Sequence, residues 1–404
     1  MEKMWKDAFS ASYEAYDELL QAQKEMEQDG RWIPSVTTKT MALSPVTQME
    51  MAIVKNKLDN DPLVLNHNSR ELSEEVLADT SFGSGLLLNL GGNVVSIRDT
   101  AMNGLHNAAK LSGSAFGRME KTIEAEVLQH GLDVAQGSST ILLRCGKVSG
   151  IHSSKYVVMP ISELLTATET MLKKQFGGIR FTAGNITHAI TTARWALVDA
   201  QPKLMQKYQD ALSISGIAIN PDWMPVVDFS TSDTASSAAV AVPGFLDTKN
   251  GDTFRFSKGI EVRHERTHDK SGKEGVELYE YKVSALYSMW EESAQKIKEM
   301  ASFPFRHPEN ALVEIANKIG MPKKYASQCL NTLEAIAINA PVITMHEIYL
   351  CLAMAPRYAK NSTTPPSPAT LVGLEEMVAR ILTIPTKEWP TFDMAGHSGW
   401  KVTT

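Results

Sequence analysis

The chain has 404 residues, 43% of them hydrophobic and 21% charged, with a formal net charge of −6. This is the make-up of a globular protein with a sizeable core, and it excludes one that coats nucleic acid along a basic surface, leaving room for a local basic groove. Three cysteines (Cys145, Cys329, Cys351) lie far apart with no CxxC pair, so they read as buried small hydrophobes in a reducing compartment.

Glu2, Asp7 and Glu14 interrupt any leader-like apolar core at the start, and no apolar run reaches the roughly 18 residues of a membrane span. The expectation is a cytoplasmic protein without membrane contact. Residues 2–27 carry Trp5, Phe9, Tyr13 and Tyr16 at helical spacing and end at Gly30. That predicts an amphipathic helix, packed on its own core or docked on a second copy of the chain. A second helix is expected over 44–58, opened by Ser44-Pro45, and a third over 69–79. Residues 81–90 read as strand or loop, closed by a turn at Gly91-Gly92. Ser96 with Asp99 is an acidic capping box that opens a helix to about residue 110, followed by another over 115–130.

The chain is organised around 138–246, a block of short apolar strands interrupted by helices. Strands are expected at 139–148, 155–159, 179–182, 189–198 and 224–230, with a turn at Gly184-Asn185 and helices at 161–176 and 203–212. Asn250-Gly251 predicts a hairpin between 240–246 and 253–256. A strand at 261–267 is expected to pair with 277–282. Helices follow at 283–300, through much of 309–359 and at 371–382, with a proline-rich loop at 361–368 and a tail docked by Trp389, Phe392 and Trp400. The fold class is therefore α+β: a mixed, mainly antiparallel central sheet flanked by helical segments at both ends. The expected divisions are a helical region 1–135, a central α+β domain 136–300 and a helical region 301–404.

Residues 312–331 match a helix-turn-helix spacing, with Ala316 and Gly320 as the small turn residues and Ile315, Ile319, Ala326 and Cys329 as the packing positions. Residues 102–121 repeat it, with His106 and Lys110 at two of the small positions. The functional reading sends Lys323 and Lys324 toward DNA; the plain one is a structural helical hairpin. Arg180, His188, Arg194 and Trp195 gather around two strands, and an exposed sheet face of Arg and Trp would stack on and neutralise single-stranded nucleic acid. Residues 228–234 (DFSTSDT) crowd Asp228, Thr231, Ser232 and Asp233, suited to a phosphate-linked ligand or a cation, or to a tightly packed strand or capping turn. His264 and His268 stand four apart but in strand and loop, which favours a solvated hairpin over a metal site. The glycines of 82–85 (FGSG) lack the third glycine of a dinucleotide fingerprint and the lysine of a phosphate loop. No nucleophile triad appears, and the chain calls for no cofactor and no metal, so binding is a better expectation than catalysis.

Residues 178–198 (GIRFTAGNITHAITTARWALV), 224–243 (MPVVDFSTSDTASSAAVAVP) and 311–326 (ALVEIANKIGMPKKYA) resemble a group of uncharacterised proteins encoded by bacteriophages and plasmids. The resemblance covers about the last two thirds of the chain. It implies a mobile-element gene product in the cytoplasm of a bacterial host, acting on nucleic acid or on host defence; the expected function is a protein of DNA metabolism that binds or anneals single-stranded DNA or RNA, with self-association into a multimer. The alternative is a non-enzymatic assembly or anti-defence interaction protein.

Overall fold

Strand alternation explains how the middle of the chain folds. In the strand Trp223–Thr231, Val227 and Phe229 turn to a helical core while Asp228 points to the other face; in Thr191–Ala196, Ala193 and Trp195 face the core and Arg194 does not. The computed structural model describes residues 4–47, 74–213, 221–255, 257–265, 273–338 and 342–393. It is an α+β fold built on two large sheets.

The strands, in chain order, are β1 (Ser10–Tyr13), β2 (Arg31–Thr37), β3 (Met41–Pro45), β4 (Leu86–Leu90), β5 (Asn93–Ile97), β6 (Ser138–Arg144), β7 (Lys147–Ser153), β8 (Arg180–Thr187), β9 (Thr191–Ala196), β10 (Trp223–Thr231), β11 (Ala239–Asp247), β12 (Thr253–Arg255) and β13 (Ile260–Val262). A short pair, β14 (Pro304–Phe305) and β15 (Ile343–Thr344), stands apart. The six-stranded sheet runs β2-β6-β7-β5-β4-β3, antiparallel except for β5 beside β7. The seven-stranded sheet runs β1-β8-β9-β10-β11-β12, with β13 also on β11.

Helices Asp99–Ala108 and Lys121–Val134 cover the six-stranded sheet, and Leu105, Leu128 and Leu132 meet Ile97, Ile141 and Val148 in one apolar cluster. A larger cluster unites the seven-stranded sheet with helices Tyr16–Asp29, Ile161–Phe176, Gln201–Leu212 and Leu286–Ala301 and with the helical C-terminal part. Among the described residues no helix is long and apolar enough to cross a membrane.

Several expectations are corrected. The strands of 138–246 do not form one sheet: Cys145 and Gly146, both at positive φ (48° and 73°), turn the chain, so 139–148 becomes parts of β6 and β7, and both join the six-stranded sheet. The N-terminal third is accordingly not all helical; β2 to β5 lie within it, and residues 10–13 are a strand on β8 rather than part of a helix. Gly184-Asn185 sits inside β8, and the turn comes at His188-Ala189, where Thr187 Oγ1 accepts from the Ala189 and Ile190 amides. Residues 277–282 are helical (Val276–Val283), so β13 pairs with β11 instead. Residues 155–159 form no strand, only one bridge from Tyr156 to Glu265. The helix expected at 44–58 begins as β3, and the rest of it lies outside the described residues, as do His268 and Trp400.

The helical hairpin at 308–337 is present, with Gly320 at φ 79° between Pro308–Ile319 and Lys323–Ala337. Its earlier echo is not a hairpin, because Asp99–Ala108 and Lys121–Val134 are separated by an irregular stretch. Trp389 and Phe392 are buried, so the tail is docked as far as it is described.

Candidate functional site

Where the two sheets meet, a polar cleft of about 660 Å³ opens. One wall is the helix Asp99–Ala108, whose Thr100, Asn103 and Asn107 recur on one face at helical spacing. Gly104 on the same face lets that helix lie against β7: a Cβ there would stand 2.0 Å from the Ile151 carbonyl oxygen. Alanine normally gains about 1 kcal/mol over glycine within a helix. A contact with fixed backbone outweighs that gain, so Gly104→Ala is expected to destabilise the protein by about 1–3 kcal/mol, read as a lowered Tm.

The other wall is the loop between β10 and β11. Ser232 Oγ accepts from the Thr234 and Ser236 amides at 3.1 and 3.2 Å, a self-capped turn that holds Ala235 at φ 62° and leaves Ala235 and Ser236 exposed. The floor is an aromatic cluster. The Tyr156 ring lies 3.9 Å from His152, 5.4 Å from Trp32 and 5.4 Å from His264.

Beneath it, Arg144 grips both carboxylate oxygens of Asp233, one through Nη1 at 3.2 Å and the other through Nη2. Tyr156 Oη donates to the Asp233 carbonyl at 3.3 Å and shares a hydrogen bond with His264 Nδ1 at 3.2 Å, while Thr231 Oγ1 shares one with His264 Nε2 at 3.2 Å. Burial lowers both imidazoles to a pKa of about 4, against the opposing pull of Asp233, so both are neutral at pH 7. Burial also raises the Tyr156 phenol well above its usual range. The floor is thus a neutral, rigid platform, with Lys110 and Arg263 as cations on the rim and Glu261 and Glu265 opposing them.

The residues singled out from the sequence do not converge here. Trp195 is fully buried among the helices, and its neighbour Arg194, pointing the opposite way, pairs with Asp228 at 2.5 Å. A base has no access to that tryptophan, and two successive strand residues share no face. His188 is buried too, its Nε2 donating to the Lys6 carbonyl at 3.0 Å. Arg180 is exposed at the start of β8. Lys323 and Lys324 are exposed in the first turn of their helix and do not line the polar cleft, and Lys324 Nζ rests 4.5 Å over the Tyr325 ring.

Of the 228–234 cluster, Asp228 belongs to the opposite sheet face. Thr231 holds His264, Ser232 caps the loop and Asp233 is taken by Arg144. They build the wall; Thr234 and its successors line the cleft. Asn103, Asn107, His152 and Tyr156 were not singled out as site residues. Only the i, i+3, i+7 polar row of 100–107 left a mark in the sequence. Among the described residues no group of three His, Cys, Asp or Glu is placed to hold a metal ion. No protein-family model, curated protein or solved structure matches the chain.

Proposed function

We propose that the protein binds single-stranded nucleic acid by taking a short stretch of it into the cleft between the two sheets. The observation that carries this is the lining. The exposed side chains of Asn103 and Asn107 make no hydrogen bond within the protein among the described residues, hydroxyls face them from the 234–237 loop, and the volume lies within the range of about 300–1,000 Å³ usual for ligand sites. Amides and hydroxyls suit base edges and sugar, and splayed bases of single strands are what such groups read.

Of the two cations that line the cleft among the described residues, Lys110 and Arg263, the second already pairs with Glu261 at 3.2 Å, so binding depends weakly on salt. Log Kd against log salt has a slope of at most ~1.4, from ~0.7 per phosphate contact. Fluorescence anisotropy with a short labelled oligonucleotide at several salt concentrations reads this slope. The double substitution Asn103→Leu with Asn107→Leu is expected to weaken binding about tenfold without changing the slope. A steep slope that collapses in Lys323→Glu with Lys324→Glu would move the site to the helical hairpin. Equal affinity for a mononucleotide would mark a metabolite site, and no binding at all would leave an interaction protein as the better reading.

A further inference from the structure

Two helices of the molecule end in the same turn. After Asp99–Ala108 the Leu111 amide donates to the His106 carbonyl at 3.0 Å and the Lys110 amide to the Asn107 carbonyl at 3.2 Å. After Pro308–Ile319 the Met321 amide donates to the Ala316 carbonyl at 2.9 Å and the Gly320 amide to the Asn317 carbonyl at 3.0 Å. This pair of bonds puts its central residue in the left-handed region, where glycine is favoured because a Cβ crowds the following carbonyl. Gly320 meets that demand at φ 79°, whereas the same place after Asp99–Ala108 is held by Lys110, at φ 57°.

A lysine that its turn disfavours calls for a gain elsewhere. The helix dipole does not supply it, since a cation at Ala108 or Ala109 meets the same carbonyls without a left-handed backbone. Burial does not supply it either, because Lys110 is exposed. The side chain lines the polar cleft and continues its helical wall, Asn103, Asn107 and Lys110 following at i, i+4 and i+7. Among the described residues its ammonium has no ion pair: Arg263 takes Glu261 at 3.2 Å, and Glu265, the other carboxylate of the rim, does not reach Lys110. Of the four non-glycine residues at positive φ among the described residues, Lys110 and Ala235 both line this cleft, so disfavoured backbone gathers at one site, as it does where function requires it.

We propose that Lys110 is the phosphate anchor of the cleft, gripping one internucleotide phosphate of the strand whose bases and sugars meet Asn103 and Asn107. This rests on the single-stranded reading and adds to it the residue that fixes the register of the strand. The lysine serves the ligand and not the turn, so binding and stability pull in opposite directions at this position.

The test is fluorescence anisotropy of the full chain with a short labelled single-stranded oligonucleotide, run beside thermal melts. Lys110→Gly is expected to weaken binding about fivefold and to lower the salt slope by ~0.7, one phosphate contact, while Tm holds or rises by up to about 3 °C. Lys110→Gln removes the charge and keeps the left-handed side chain, so it is expected to lose as much affinity with no rise in Tm. Lys110→Arg keeps the charge and is expected to bind within about twofold of the parent. A single neutral methylphosphonate linkage, moved along the oligonucleotide, is expected to weaken binding to the parent at one position and to have no effect there in Lys110→Gly. The proposal is overturned, with the cleft reading intact, if either Lys110→Gly or Lys110→Gln binds with the affinity and slope of the parent, or if Lys110→Gly melts several degrees lower. A parent that binds no oligonucleotide overturns both.

Discussion

Asp233→Ala is expected to lower the free energy of unfolding by about 3–5 kcal/mol, the cost of leaving a buried charge without its partner. Arg144 and Asp233 are 3% and 7% exposed, and the pair ties the end of β6 in one sheet to the loop after β10 in the other. The loss comes from stranding the guanidinium and not from the pair's net worth, because two desolvated charges repay little more than they cost. The double substitution Arg144→Met with Asp233→Leu is therefore expected to recover most of the stability. Urea denaturation of the parent and the two variants decides it. An effect below about 1 kcal/mol for Asp233→Ala, typical of surface pairs, would mean that water reaches the junction. Since the same loop forms a wall of the polar cleft, the proposed function predicts weaker oligonucleotide binding in the alanine variant than in the apolar pair.

Acidification from pH 7 to pH 5 is expected to cost about 2 kcal/mol for each of His152, His264 and His346. Burial holds all three near a pKa of about 4, and His188 near 2. In the unfolded chain each imidazole returns to about 6.5 and takes up a proton. The folded pKa values are thus depressed, so the stability is fully present above about pH 6.5 and is lost as pH falls toward 4. Summed, the loss approaches the whole stability of an ordinary domain, about 5–15 kcal/mol. Urea midpoints at pH 7, 6 and 5 measure it. His264→Gln removes one titrating group and is expected to flatten the profile by about one proton, whereas a midpoint constant from pH 7 to 5 would mean that the imidazoles are hydrated.

The parts of the fold that depend on neighbours in sequence were legible. The helix 161–176 falls on the observed bounds, the Asn250-Gly251 turn joins β11 to β12, and Gly320 closes the helical hairpin, because periodicity and positive-φ turns act over a few residues. A finer local signal was present and passed over: Gly146 marks the break in 139–148. Period-two alternation alone separates Arg194 from Trp195, which rules out the stacking face drawn through both.

The polar cleft is another matter. Its walls come from residues near 100–107, 135–139, 151–156, 234–238 and 261–265, each unremarkable alone. Which sheet β6 and β7 join depends on pairing with β2 and β5, and β1 returns from the far N-terminus to β8. Composition and local pattern thus determined the class of fold, most helices and the tightest turns. The division into two sheets and the burial that neutralises His152 and His264 were decided only in three dimensions. Desolvation and strand register are properties of segments brought together from far along the chain, and no window of sequence contains them.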